Sequence, residues 1–327
     1  GSIIYNMVAQ LTDSTIQTVV DAWINYPNQA QFVNTGNTPY YGPIAGWDTS
    51  QVTNVSYLFH NKSLFNDDIS LWNVSNVTNM GGLFMNASAF NGDISSWDVS
   101  KVTDMTNTFR GIAFTVDISN WDVSKVISMP YMFSWSAFNG DISQWNVSAV
   151  TNMSYMFRGA DVFNRDISNW NVSKVISMYG MFRDAGSFNG DISNWNVSKV
   201  TNMKYMFQDA SAFNGDISQW DVSAVTAMNR MFYRNSTFNG DISQWNVSAV
   251  TNMSDMFGGA TAFSKDIRGW SVSASAYRSN MFNGATLMIN IYSAPPTPTP
   301  ATQWFIIDHV LISNICFPAG TLIATNQ

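Results

Sequence analysis

The sequence predicts an α/β repeat solenoid, a rod of ten similar coils of about 25 residues. Three observations predict this fold class. An isoleucine stands three residues before a recurring tryptophan, a serine three residues after it and a phenylalanine twelve residues after it. Steps of 24 or 25 residues separate the tryptophans, which are Trp47, Trp72, Trp97, Trp121, Trp145, Trp170, Trp195, Trp220, Trp245 and Trp270. A fixed period of this length is typical of chains in which each unit packs on its neighbours.

The first half of each coil predicts one short strand. Ile192, Trp195, Val197 and Val200 follow the spacing I-x-x-W-x-V-x-x-V, which matches the strand of a leucine-rich repeat. We therefore expect a leucine-rich-repeat-like, right-handed solenoid whose strands form a parallel sheet. Val200 stands where that repeat carries a loop-bonding Asn, so another polar residue must bind the loop. The candidates are Ser198, Thr201 and Asn202.

The second half of each coil predicts one short helix. Val200, Met203, Met206 and Phe207 recur at steps of three and four residues, which is a helical stripe. Thr201 precedes the stripe and is the expected N-cap, since its hydroxyl can accept a free backbone N–H.

The large apolar residues of this pattern form the predicted core. One coil offers about eight such side chains, worth about 1.5–3 kcal/mol each when buried. Ordering its residues costs about 1.5 kcal/mol apiece, so a single coil does not fold and stacking is required. The core residues predicted inside the rod are Trp72, Trp97, Trp121, Trp145, Trp170, Trp195, Trp220, Trp245, Phe84, Phe157, Phe207 and Phe257.

Four segments follow from where the repeat begins and ends. Residues 1–42 lack the repeat, and an amphipathic helix after Asp13–Ser14, with its cap there, makes them an N-terminal helical cap. Residues 43–283 hold the ten-coil solenoid. A Pro-rich linker, 284–300, precedes a C-terminal β segment, 301–327, which serves as a cap or as an assembly strand.

Composition excludes several classes of function. Charged residues make up 11% of the chain and the net charge is −7, so no basic stripe marks a nucleic-acid partner. No apolar run is long enough for a membrane span. The two histidines, His60 and His309, lie far apart without a nucleophile motif. We therefore predict a protein without enzymatic activity, cofactor or resident metal.

A carboxylate precedes the tryptophan by four residues in nine coils. Stacking would align these residues in a column along the rod. A calcium ladder is one interpretation; the preferred one is that each Asp bonds backbone N–H groups of its own turn. The predicted turn ladder consists of Asp68, Asp93, Asp117, Asp141, Asp166, Asp191, Asp216, Asp241 and Asp266.

Polar, mostly uncharged residues occupy the outward positions of the predicted strand. In one coil these are Ser193, Asn194 and Asn196, and other coils are similar. One interpretation is a glycan-binding concave face. The other is a set of amide and hydroxyl rows that solvate the sheet, which their uniformity favours because a specific pocket needs variation between coils.

The repeat string carries a family resemblance. F-N-G-D-I-S-x-W-[DN]-V-S-x-V-T-x-M-x-x-M-F, which fits residues 40–283, resembles the BspA-like surface-protein repeat, also known as the Mycoplasma-lipoprotein-type repeat of unknown function. The resemblance implies an extracellular or surface-displayed protein with a role in adhesion. It implies no agreed biochemical activity.

A second resemblance lies near the C-terminus. The ten residues from Cys316 resemble the start of a hedgehog/intein self-processing domain, in which the leading Cys attacks the preceding carbonyl, here that of Ile315. This resemblance implies a processing junction in a longer precursor. An ordinary strand–turn–strand with a buried Cys is the alternative.

We predict a non-enzymatic extracellular protein with a structural or attachment role, whose partners are itself or surface glycans and proteins. One alternative is a fibre subunit that assembles by strand addition through Ile3–Tyr5 and residues 303–312. In that case the tail would leave its own rod, instead of folding back over the last coil. A glycan-binding module on the concave face is the other alternative.

Overall fold

A computed structural model describes residues 9–27, 32, 40–299 and 304–307 and shows a repeat solenoid. Successive units pair through single parallel β-bridges, from Asn54–Asn79 at one end to Asn252–Tyr277 at the other. Each bridge joins equivalent positions of neighbouring coils, so the coils stack in the same register along the rod.

Regular elements lie only near the two ends of the described chain. The elements in chain order are β1 Gln10–Thr12, α1 Ile16–Asn25, a 3-10 turn Ile44–Gly46, β2 Asp48–Gln51, β3 Ser271–Val272, α2 Thr286–Tyr292 and β4 Ile306–Ile307. Strand β1 pairs in parallel with β2 at the N-terminal end. Strand β3 pairs in parallel with β4 at the C-terminal end.

The prediction of a strand and a helix in each coil is wrong. Between 52 and 270 the described chain contains turns and isolated bridges and neither a strand nor a helix. In the predicted strand, the Trp195 N–H donates to the Ile192 carbonyl at 3.2 Å and the Val200 N–H donates to Val197 at 2.8 Å. These contacts close tight turns, so the alternation of Trp195 and Val197 arises without extended backbone.

The predicted helix is a ribbon in which alternate N–H groups bond in different directions. The N–H groups of Met203 and Phe207 donate to carbonyls of the next coil at 3.0 and 2.9 Å, whereas that of Met206 donates back to Met203 at 3.3 Å. Tyr205 has a φ of 58°, in the left-handed region, which ends any right-handed helix. Thr201 therefore caps no helix, and its hydroxyl donates to a carbonyl of the preceding coil at 3.4 Å.

Aromatic columns run through the interior of the rod. The indole of Trp195 is 3% exposed and is stacked between Trp170 and Trp220, with ring centroids 6.5 Å apart and planes 1° apart on both sides. Phe207 continues a second column, 5.8 Å from Phe182. All twelve predicted core residues are buried, and these rings join the coils into one continuous core.

Each buried indole also ties its coil to the preceding one. The Trp195 Nε1–H donates to the Ile167 carbonyl at 3.1 Å. The same contact recurs at 2.9–3.2 Å for every coil tryptophan from Trp72 to Trp270. Because a buried indole needs a partner for its N–H, the repeat satisfies the group by the same bond that fixes coil spacing.

Helix α1 covers the first coil. Its apolar face buries Ile16, Val19 and Val20, and the Trp23 ring meets Trp47 edge-on at 6.0 Å between centroids. These contacts give the first tryptophan an aromatic neighbour on the side that has no preceding coil.

Asp13 does not cap α1. The N-cap residue is Thr15, and it makes no side-chain cap bond. The Asp13 carboxylate instead accepts the backbone N–H and the hydroxyl of Thr53 at 2.7 and 2.6 Å, and the N–H of Asn54 at 3.0 Å. Asp13 therefore binds the backbone of the first coil and does not cap the helix that follows it.

Within the segment predicted as a linker, 284–300, the described residues 284–299 include α2, which packs on the last coil. Met288 of α2 is buried, and the Phe282 N–H donates to the Pro296 carbonyl at 3.1 Å. Pro296 is therefore held against the last coil. Beyond it, the Phe305 ring lies 6.3 Å from Trp270.

Candidate binding surfaces

The Asp ladder is used within its own turns. The Asp191 Oδ1 atom accepts the Ser193 N–H at 2.9 Å, and all nine ladder residues make this bond to the residue two positions later, at 2.9–3.1 Å. Short Asp side chains favour this local geometry. The bond organises the turn that leads into each buried tryptophan.

At Asp191 and Asp93 these hydrogen bonds favour the ionised carboxylate. The backbone N–H of Ser193, with its hydroxyl, lowers the pKa of Asp191 below the ordinary value of 3.8, because a donor aimed at the carboxylate favours its charged form. The Ser95 hydroxyl and N–H lower the pKa of Asp93 in the same way. The carboxylates of Asp191 and Asp93 are therefore ionised at neutral pH.

The ladder does not assemble a metal centre in the described residues. No group of three or more His, Cys, Asp or Glu side chains lies close enough there to hold an ion. Ca²⁺ takes six to eight oxygen ligands, and each ladder carboxylate already spends one oxygen on its own turn. The calcium interpretation therefore has no support from the described geometry.

The outward polar row is also committed to local bonds. The Asn196 Oδ1 atom accepts the N–H and the hydroxyl of Ser198 at 3.1 and 2.7 Å. The Ser193 N–H is taken by the ladder. Of the outward residues considered for glycan binding, Asn194 alone makes no bond of this kind, so the row favours the solvating interpretation.

A ladder of asparagines that the sequence analysis missed joins the coils. The Asn189 Oδ1 atom accepts the N–H of Asn214 in the next coil at 2.9 Å. The Asn202 side chain, a candidate for this role, bonds within its own coil instead, to the Lys204 N–H at 3.1 Å. The accepting residues are Asn66, Asn91, Asn139, Asn164, Asn189, Asn214 and Asn239.

Grooves lie between neighbouring Asp turns. One has a volume of about 480 Å³ and is lined by Asp117, Asp141 and Arg165, among others. A second, of about 450 Å³, is lined by Asp216 and Asp241. Both grooves are lined by equivalent polar residues of neighbouring coils, and neither brings together a distinct cluster of side chains that would mark a binding site.

A second surface breaks the uniformity of the coils. It comprises the residues nine, ten, thirteen and fourteen after the tryptophan, in the coils of Trp97 to Trp245, and we name it the arginine–aromatic strip. The signal that could have found it is variation, since these positions differ from coil to coil while the core positions repeat. Its aromatic and arginine residues are Arg110, Tyr131, Trp135, Tyr155, Arg158, Tyr179, Arg183, Tyr205, Arg230, Tyr233 and Arg234.

The predicted processing junction, Ile315 and Cys316, lies outside the described residues. So do Ile3–Tyr5 and most of 303–312. Neither helix of the described chain has the length and apolar character that crossing a bilayer requires.

Comparison with known proteins identifies the repeat. A family described as "Mycoplasma protein of unknown function, DUF285" matches residues 29–137, 108–219 and 188–294. The match confirms the resemblance drawn from the repeat string. No curated protein matches the chain. Among solved structures, the chain is similar to a leucine-rich repeat protein from Bacteroides ovatus ATCC 8483, with 11% identity, coverage of 76% of this chain and 80% of that chain, and a TM-score of 0.27.

Proposed function

This chain belongs to the Mycoplasma DUF285 family, and we propose that it is a non-enzymatic, surface-displayed rod with a structural or attachment role. One observation supports this proposal above the others, which is the unbroken Trp-to-Ile hydrogen-bond ladder from Trp72 to Trp270. A core built of identical contacts is suited to holding a fixed length and shape. The family's resemblance to surface proteins supports display outside the cell.

We assign the rod ten coils over 43–283, with a cap at each end. The contacts of α1 with the first coil support an N-terminal cap within 1–42. At the other end, α2 and β4 support a C-terminal cap that includes part of 284–300. A solenoid needs terminal units that cover the core of its first and last coils.

Two measurements test the role. Small-angle X-ray scattering of the purified chain is expected to give the dimensions of a single elongated particle, and antibody labelling of intact cells is expected to equal labelling of permeabilised cells. A compact particle would contradict the rod, and labelling only after permeabilisation would contradict surface display.

The fibre alternative has less support. It needs the tail to leave its own rod, whereas the described part of that tail, β4, is paired with the chain's own β3 through Ser271–Ile306 and Val272–Ile307. Size measurement with and without residues 294–327 distinguishes the two ideas. Monomers of the same association state in both cases would exclude the fibre, whereas concentration-dependent polymers of the full chain alone would establish it.

The glycan alternative on the outward strand row also has less support, because Asn196 and its equivalents are bonded to their own turns. Substituting Asn194→Ala and its exposed neighbours would test this face. Unchanged binding to a glycan array would exclude the row.

We further propose, from the sequence resemblance alone, a processing junction between Ile315 and Cys316. Mass spectrometry of the protein from its natural source is expected to show a C-terminus at Ile315. A native protein that retains Cys316 within an intact chain would exclude the junction.

A further inference from the structure

The arginine–aromatic strip holds bulky residues where the backbone favours small ones. Trp135, Tyr155 and Tyr205 have φ values of 56°, 57° and 58°. Large residues are rare in this left-handed region, and the equivalent positions of other coils hold Gly82 and Asn107, among others. The fold therefore gains nothing in backbone energy from these rings.

Two of these rings lie over a glycine of the next coil. A Cβ added to Gly159 would collide with the Trp135 ring, and one added to Gly180 would collide with the Tyr155 ring. Each ring thus rests on the glycine of the next coil. Trp135 remains 48% exposed, so it forms part of an open aromatic platform.

Arginines lie over the same rings. The Arg158 guanidinium is 5.5 Å from the Trp135 ring centre and 5.3 Å from that of Tyr155. Arg183 lies 5.4 Å from the Tyr205 ring. Stacking of this kind holds a guanidinium in one orientation while its edge stays available for oxygen ligands.

The strip also contains buried polar atoms that lack a hydrogen-bond partner. Ser134 is 0% exposed and Gln208 is 5% exposed, and native proteins pair almost all buried polar groups. Within the described residues, the buried side-chain atoms without a hydrogen bond all belong to this strip. They are Ser134 Oγ, Arg158 Nε, Arg183 Nε, Gln208 Oε1 and Asn229 Oδ1.

These atoms include donors and acceptors. The two arginine nitrogens can only donate, the two amide oxygens can only accept, and the hydroxyl can do both. Both arginines approach Asp184, with Nε to Oδ2 distances of 3.6 and 3.3 Å, without completing a hydrogen bond. The strip therefore contains unsatisfied donors and acceptors in several coils.

The strip is positive on a negative protein. It carries six of the 15 Lys and Arg residues and three of the 22 acidic residues, whereas the whole chain has a net charge of −7. A cationic strip on an acidic rod selects for an anionic partner. Its cations are Arg110, Arg158, Arg183, Lys204, Arg230 and Arg234.

We propose that the arginine–aromatic strip binds an anionic polysaccharide laid along the rod axis. Sugar rings stack their apolar faces on aromatic rings, and sugar hydroxyls both donate and accept hydrogen bonds. Carboxylate or sulfate groups on the chain pair with guanidinium groups. The inference rests on the proposed attachment role and gives it a site and a class of ligand.

The probes are four immobilised polymers. Polygalacturonate presents carboxylates on a sugar chain, dextran sulfate presents sulfates, dextran is neutral, and polyglutamate presents carboxylates on a peptide. The purified full chain is expected to bind polygalacturonate or dextran sulfate, and the better of the two identifies the acid group. Binding to dextran and to polyglutamate is expected to be weaker by about tenfold or more.

Two variants and one control locate the site. Trp135→Asn removes a stacking ring and puts Asn at a position where other coils already carry it. The double variant Arg158→Gln/Arg183→Gln removes two charges from the strip. Lys101→Gln/Lys125→Gln removes two charges from a row beside Asp98 and away from the strip. Each strip variant is expected to weaken binding about tenfold, and the control about twofold or less.

Several results would overturn the proposal. Binding to polyglutamate as strong as binding to the anionic polysaccharides would point to acidic protein partners. Absence of binding to both anionic polysaccharides would exclude this class of ligand. A loss of binding in the lysine control equal to that in the strip variants would mean that the attraction is diffuse and not specific to the strip. The thermal midpoint of each variant distinguishes a loss of binding from a loss of folding. If Trp135→Asn unfolds, the binding of the double arginine variant tests the proposal. These binding experiments use purified protein, so a negative result does not bear on surface display, which the antibody labelling of cells tests separately.

Discussion

Truncating one central indole tests the stacked core. Trp195→Ala removes a ring that is 3% exposed and held between the indoles of Trp170 and Trp220 at 6.5 Å. Replacing a buried Trp by Ala costs about 3–5 kcal/mol. The upper part of that range is expected, because hydrogen bonds fix the spacing of the flanking coils and keep the cavity from collapsing.

The lost hydrogen bond contributes only part of this cost. The Trp195 Nε1–H bonds to the Ile167 carbonyl at 3.1 Å, but that oxygen also accepts the Trp170 N–H at 3.2 Å. It is therefore not left unpaired, and the bond accounts for about 0.5–1.5 kcal/mol. Trp195→Phe, which keeps an aromatic ring and loses the donor, is expected to cost about 1–2 kcal/mol.

Urea unfolding followed by circular dichroism measures these free energies. Leu71→Ala is the matched control, since Leu71 is 79% exposed and its loss is expected to change the free energy of unfolding by less than about 0.5 kcal/mol. A loss below about 1 kcal/mol for Trp195→Ala would refute the claim that the indole column supports the rod.

Three further outcomes are expected. Gly159→Ala is expected to cost about 1–2 kcal/mol, because its φ is 63° and its Cβ meets the Trp135 ring; Gly269→Ala, in open space, is the control, and an equal effect of the two in thermal melts would contradict the assignment. Excising 196–220, one full period, is expected to leave a shorter folded rod by circular dichroism, whereas aggregation would argue against nearest-neighbour stacking. The pKa of Asp191 lies below 3.8 in the folded state, so its stabilising contribution is present above pH 3.8 and is lost as pH falls through the folded pKa; a thermal midpoint that stays constant into that acid range would show that the Asp ladder adds no stability.

The repeat architecture was predictable because the core alone dictates it. Ile, Trp, Val and Phe recur at fixed offsets, and a residue such as Trp195 stabilises a coil only when the same residue lies in the coils beside it. The period therefore identifies a solenoid whatever the backbone does between core positions. The family match confirms the resemblance that the same string carries.

The local backbone was not predictable from apolar spacing. Steps of three and four residues, as in Val200, Met203 and Phe207, fit a helix and also fit a chain of tight turns. What decides between them is the direction of the N–H groups, and the Met203 N–H bonds to the next coil. Aligning all coils would have helped, since Gly or Asn stands fourteen residues after the tryptophan in six coils, as left-handed backbone favours.

The arginine–aromatic strip was harder to predict because its shape depends on pairs of neighbouring coils. A large side chain at a left-handed position folds over the next coil, and a glycine there makes room for it, as Gly82 does for Tyr57 and Gly159 for Trp135. Where no glycine follows, the next side chain stacks instead, as Tyr155 does on Tyr131 at 4.7 Å. Because these positions lie outside the core, they can change without disturbing the aromatic columns. The coil thus separates the repeated residues that hold the rod from the varied residues of the arginine–aromatic strip, the surface that we propose binds a partner.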